Sequence, residues 1–146
     1  MAVFLIVIMA ALAAYMVRTF TLMRSSFDMS LQGVMAYQAA LAGLEWGNYQ
    51  AQDVNNAWTP GNPLPSCPAT TTINNLAGRL SGFAVTVSCT GGTPYTEGNH
   101  QVAVYRFDSV AKLGTAGTTG YVERDAQTLV ILCKDPTALG PKYSCR

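Results

Sequence analysis

The chain opens on MAVFLIVIMAALAAYMV, Met1 to Val17, without one charged side chain. Wound as a helix at about 1.5 Å per residue, that run is an apolar rod of roughly 25 Å. About 17–25 such residues cross the hydrocarbon of a bilayer. The helical pattern persists beyond Val17. Phe20, Met23, Phe27, Leu31, Val34, Tyr37 (or Gln38) and Leu41 recur at steps of three and four, the spacing of one helix face, and Leu44, Trp46 and Tyr49 carry the apolar side onward. The first proline is Pro60, so no ring interrupts the helix before it. Gly33, Gly43 and Gly47 each cost about 1 kcal/mol in a helix interior, but they admit close packing. These residues predict one helix from about Met1 to Gln52. Its first half has nothing in this chain to pack on, and its second half offers a stripe for a small sheet to cover.

A cleavable signal peptide starts basic, runs apolar for about 7–15 residues and closes on small residues. Here no basic residue precedes Arg18, the apolar run is longer, and no A-x-A site closes it. Arg18 and Arg24 follow the run directly, and in an ordinary single-span anchor they would stay cytoplasmic. That orientation would put the rest of the chain in a reducing space, against what its cysteines suggest. All four lie downstream, at Cys67, Cys89, Cys133 and Cys145. An even count behind a membrane segment favours two disulfides in an oxidising compartment. Of the three possible connectivities, Cys67–Cys89 with Cys133–Cys145 is expected, because each bridge closes a local loop. Zinc is disfavoured, since there is no C-x-x-C pair and His100 sits near no cysteine in sequence.

Past Gln52 the composition shifts to Thr, Gly, Asn and Pro, enough chain for one modest core. The expected division is a helix over 1–52, with 1–17 as its membrane or filament-core segment, and a globular head over 53–146. Asp53 to Pro65 reads as a loop punctuated by Trp58, Pro60, Gly61 and Pro63. Thr71 or Thr72 is expected to cap a short helix running to about Leu80. Phe83 to Cys89 alternates as a strand, with Phe83, Val85, Val87 and Cys89 on one side. Gly91–Pro94 and Glu97–Asn99 read as loop. His100–Val110 and Gly120–Cys133 read as two further strands, joined through Lys112–Thr119. Three or four antiparallel strands on the rear of the helix make an α+β head. The tail, Asp135 to Arg146, has too few apolar residues to pack alone, and a Cys133–Cys145 bridge would contribute about 3 kcal/mol by closing it.

Little here suggests catalysis. A net charge of +1 gives no electrostatic case for nucleic acid. His100 has Glu97 and Asp108 within sequence reach but no evident nucleophile, and Ser25, Ser26 and Ser88 lack a nearby base. Gly114 to Gly120 lacks the Lys-Ser/Thr ending of a phosphate loop. No enzyme activity, metal or cofactor is expected. Glu123, Arg124 and Asp125 read as a solvated strand face. Glu45, set among Ala, Leu and Trp, is expected to pair with Arg106 or Arg124 on the sheet, or with a neighbouring subunit.

The stretch Ala36-Tyr37-Gln38-Ala39-Ala40-Leu41-Ala42-Gly43-Leu44-Glu45-Trp46-Gly47 resembles a motif in the later helix of type IV pilus minor pilins, most closely the MshP family of the mannose-sensitive haemagglutinin pilus. The start Ala2–Val7, the Cys67-Pro68 pair with Leu80–Cys89, and Tyr121–Arg124 are similar to the same family. The resemblance implies the type IV pilin fold, a long N-terminal helix packed on a small antiparallel sheet head with two disulfides. It implies a structural subunit that polymerises with itself or other pilins for surface attachment or motility, with Phe4, Leu5, Ile6, Ile8, Leu12, Tyr15, Met16 and Phe20 packing the filament core. It further implies an inner-membrane stage, then an extracellular pilus, with a prepilin peptidase and an assembly platform as partners. Family members begin with a short basic leader, later removed, that helps set their orientation; the resemblance places the mature start a few residues upstream of Met1. Most major pilins carry Glu at the fifth mature position, whereas the first acid here is Asp28, which points to a minor or initiating subunit. The alternatives are a pseudopilin of type II secretion, whose calcium-binding acids would have to come from the scattered Glu97, Asp108, Glu123, Asp125 and Asp135, and a monomeric membrane-anchored periplasmic binding module.

Overall fold

A computed structural model describes residues 2–52 and 64–134. Residues 53–63 of the expected Asp53–Pro65 loop, the C-terminal tail and Cys145 lie outside the described residues. Helix α1 runs without interruption over Ala2–Ala51, as the absence of proline predicts. Five strands follow: β1 (Thr71–Ile73), β2 (Ala84–Gly91), β3 (Tyr95–Glu97), β4 (His100–Leu113) and β5 (Val122–Lys134), with a single 3-10 turn at Gly78–Leu80 before β2. The class is α+β with an antiparallel sheet. The chain divides into two compact units, residues up to Val34 and residues from Met35 onward, so the boundary falls inside α1.

Within the second unit β4 is the organising strand. One edge carries β5 along its whole length, from Gln101↔Lys134 to Leu113↔Val122. Its other edge is shared end to end: β2 pairs with Tyr105–Lys112 and β3 with His100–Val102. Strand β1 completes the sheet beyond β2, with Thr72 opposite Thr86. Alternation along β4 sets the faces. Ala103, Tyr105, Phe107, Ser109 and Ala111 are buried, while Val104 and Arg106 are exposed. Phe83, Val85, Val87 and Leu132 join the buried face, and Ala36, Ala39, Ala40, Leu44 and Ala51 of α1 complete the same core.

The helix meets this core on a face that its bulky residues suggest only in part. Tyr37, Leu41 and Tyr49, expected under the sheet, are exposed. Most of the buried positions are small, at 36, 39, 40, 43, 47 and 51, while Leu44, expected on the stripe, is buried beside them and Trp46 packs partly buried against the core. A flat helix face lets the large residues of the sheet, Tyr105 and Phe107, fill the space instead. The fit leaves no room for growth. A Cβ added to Gly43 would clash with Ser109 Oγ and stand 2.6 Å from Val85 Cγ1; one on Gly47 would stand 2.8 Å from Phe107 Cδ1.

Three expectations in the head need correction. The Thr71–Ile73 segment is strand β1, not the start of a helix, because its β-branched residues find partners in Val85–Val87, and only the 3-10 turn remains of the expected helix. Tyr95–Glu97 is strand β3, closed onto β4 by a two-residue turn in which Gly98 has φ 60°, the positive φ that a II′ hairpin needs at its first position. The hairpin loop between β4 and β5 lies two residues later than expected, since Lys112 and Leu113 continue β4 and β5 begins at Val122.

The Cys67–Cys89 disulfide forms as expected, with a Cα–Cα distance of 5.5 Å. It ties the segment leading into β1 to strand β2, and Tyr105 reinforces that junction by donating its hydroxyl proton to the Pro65 carbonyl oxygen. Among the described residues this is one disulfide, not two. Cys133 is not a free thiol, and its expected partner Cys145 lies outside the described residues.

Replacing Gly43 or Gly47 by Ala would raise helix propensity by about 1 kcal/mol, yet overpacking costs about 1–3 kcal/mol, and here it falls on sheet atoms. We expect G43A to lower the thermal midpoint of the head, read by near-UV circular dichroism of detergent-solubilised protein, while Q38A on the exposed side leaves it unchanged. A Cys67→Ser, Cys89→Ser pair, opening a loop of 22 residues, should cost about 3 kcal/mol in denaturant unfolding.

Candidate functional site

Among the described residues, a long run of exposed apolar side chains lies on the first unit's helix. Phe4, Leu5, Ile6, Leu12, Tyr15, Met16 and Phe20 are each more than half exposed, and Ile8 is 40% exposed. This is the helix, among the described residues, long and apolar enough to cross a membrane. Its two threonines are satisfied locally. Thr19 Oγ1 donates to the Met16 carbonyl oxygen at 2.9 Å, and Thr21 Oγ1 to that of Arg18 at 2.8 Å. In hydrocarbon, where water cannot serve, such bonds spare each hydroxyl the cost of standing unpaired. The Arg24 guanidinium lies 5.9 Å from the centre of the Phe20 ring, an arrangement that keeps the cation against the helix.

The second candidate surface is the sheet face turned away from the core. Pairing register places Val104 opposite Ile131 and Arg106 opposite Leu129, and Leu129 and Ile131 are each about two-thirds exposed. Two shallow depressions mark this face. One is lined by Arg106, Gln127, Thr128 and Leu129, the other by Glu97, His100, Val102, Ile131 and Cys133. Sequence reasoning missed this apolar strip, because Val104, Leu129 and Ile131 become neighbours only through the β4–β5 register.

The ion pairs expected of Glu45 do not form within this chain. Arg106 donates from Nη2 to Gln127 Oε1 at 3.0 Å and sits 3.4 Å from Asp108 Oδ1. Its place in β4 turns it to the face opposite the core. Arg124 shares its sheet face with Ala111 but is exposed, and Nη1 donates to the Glu123 carbonyl oxygen at 3.1 Å. Glu45 itself is exposed on α1. At the start of β5, Glu123 gathers two partners: Lys112 Nζ at 3.7 Å and the Tyr121 hydroxyl, which donates to Oε2. That hydrogen bond to the carboxylate raises the Tyr121 phenol above its ordinary value, and the nearby negative charge acts in the same direction.

His100 stands opposite Glu97 across the β3–β4 turn. In its depression the remaining neighbours are Val102, Ile131 and the oxidised Cys133, so no nucleophile faces it there. Among the described residues no group of three or more His, Cys, Asp or Glu side chains gathers to hold a metal ion. Comparison with protein-family models, curated proteins and solved structures finds no match to this chain.

Because its folded-state phenol pKa is raised, Tyr121 contributes stability that is held below the ordinary tyrosine pKa of about 10 and lost as pH climbs beyond it. We expect Glu123→Gln to lower the Tyr121 midpoint toward that ordinary value, seen as phenolate absorbance appearing at lower pH in a difference titration against the parent protein.

Proposed function

We propose that this chain is a structural subunit of the type IV pilin kind, held first in a membrane by its apolar helix and then packed by that helix into a filament. The observation that carries the reading is one continuous helix with two unlike surfaces. Its leading part is apolar and exposed on every side, whereas from Ala36 onward one small-residue face is buried by a disulfide-bearing sheet. An anchor alone needs the first feature, and a core helix needs only the second. The sequence resemblance in Ala36–Gly47 supports the same conclusion.

The Cys67–Cys89 bond also bears on orientation. A stable disulfide belongs to an oxidising compartment, so the head lies outside the cytoplasm, and Arg18 and Arg24 lie on the head's side of the span. By charge alone those arginines would favour the reverse, so orientation needs help from outside this segment, as a basic leader supplies in pilins. Transfer from bilayer to filament gains little from water exclusion, since lipid is already as apolar as leucine, and close helix packing must contribute. Ala10, Ala11, Ala13 and Ala14 supply a thin stretch where neighbouring backbones can approach.

The type II secretion pseudopilin is the nearest rival and shares the helix. Among the described residues no three acids gather to hold a metal ion, and Asp135 lies outside them.

Fibres sheared from producing cells test the proposal. We expect negative-stain microscopy with labelled antibody to place this chain in filaments, and intact mass spectrometry of that fraction to show all four cysteines oxidised. Recovery only as single copies in detergent micelles, with none in the sheared fraction, would instead favour a membrane-anchored monomer.

A further inference from the structure

The first unit's helix carries three charged residues along its length, Arg18, Arg24 and Asp28. All three are exposed, and neither Arg18 nor Asp28 takes part in an ion pair among the described residues. Arg24 is engaged differently, with its guanidinium over Phe20. A charge buried between packed helices is costly unless an opposite charge meets it. If copies of this helix pack on one another, as the proposed function requires, these three residues constrain how.

Chains that leave one membrane with their heads on the same side enter a fibre parallel. Parallel helices packed level would bring Arg18 beside Arg18, Arg24 beside Arg24 and Asp28 beside Asp28, so that every charge meets its like. An axial shift removes the conflict. At about 1.5 Å per residue, the ten-residue separation of Arg18 and Asp28 corresponds to roughly 15 Å. We propose that neighbouring copies of this chain pack parallel with that stagger, and that Asp28 of one copy pairs with Arg18 of the next.

Arg18 is the fitting partner for two reasons. It borders the uncharged run Met1–Val17, so helix packing desolvates it more than Arg24. Arg24 already has Phe20 and lies one turn from Asp28 of its own helix. The pair is heterologous, since each copy offers Arg18 to one neighbour and Asp28 to another. An interface of that kind does not close on itself as a twofold dimer does, and its repetition generates an open helical polymer. On this account the stagger is written into the charges.

The proposal rests on the filament reading, and one experiment separates the two. Full-length R18K, which keeps the charge and adds an amine, is produced as a mixture of isotopically light and heavy copies, and sheared fibres are treated with a zero-length carbodiimide. We expect an amide between position 18 of one copy and Asp28 of another, seen as mixed-isotope peptides. D28N and R18Q should each weaken assembly about a hundredfold, the penalty of one unpaired buried charge, and the swap R18D with D28R should restore it. Fibres that form normally in D28N, or that link to Asp28 only from position 24 in the matching R24K protein, overturn the stagger and leave the filament reading standing. If the parent chain forms no fibres at all, both fall. Near-UV circular dichroism of each variant separates loss of assembly from loss of the head fold.

Discussion

The head depends on one contact, the thin face of α1 laid against the broad residues of β2 and β4. Gly43 and Gly47 sit where any side-chain carbon would collide with Val85 or Phe107. Packing of this kind takes its energy from the sheet side: Tyr105 and Phe107 supply the buried area, and the helix supplies proximity. Helix propensity is sacrificed at both glycines to achieve it. Ser109 shows how tight the arrangement is. Its hydroxyl is fully buried at this contact without a hydrogen-bond partner in the structure, a cost accepted where a small side chain was needed opposite Gly43.

That contact also explains what the sequence made legible and what it hid. The length of α1 was readable because no proline precedes Pro60 and an apolar run of that size admits few alternatives. Strand β2 was readable from the strict alternation of Phe83, Val85 and Val87. The buried face of the helix was not. Bulk points to Tyr37, Leu41 and Tyr49 as well as Leu44, yet of these four only Leu44 is buried, and most of the residues that meet the sheet are alanines and glycines. Short strands were equally hidden. Thr71 and Thr72 suit a helix cap and a strand alike, and only their pairing with β2 decides. Tyr95–Glu97 lies between glycine-rich segments whose composition says loop.

The candidate surfaces divide in the same way. The exposed apolar helix could be read directly, since hydropathy along a continuous run needs no knowledge of pairing. The strip formed by Val104, Leu129 and Ile131 depends on register between strands far apart in sequence. Glu45 shows what register alone decides. An acid among apolar neighbours suggested a partner on the sheet, but strand alternation sends Arg106 to the far side, where Gln127 and Asp108 meet it.

Strand β5 carries a consequence for how the domain reaches its folded state. Glu123, Arg124 and Asp125 are crowded at its beginning, and the following stretch, Ala126 to Leu132, is uncharged. Charges on a border strand discourage foreign strands from adding to it, and in β5 they stand at its opening and at Lys134, leaving the middle unguarded. Before β4 has taken it up, AQTLVIL is a neutral, proline-free segment of the type that self-associates. Yield of this chain therefore turns on a race between docking of the final strand and association of unfinished molecules.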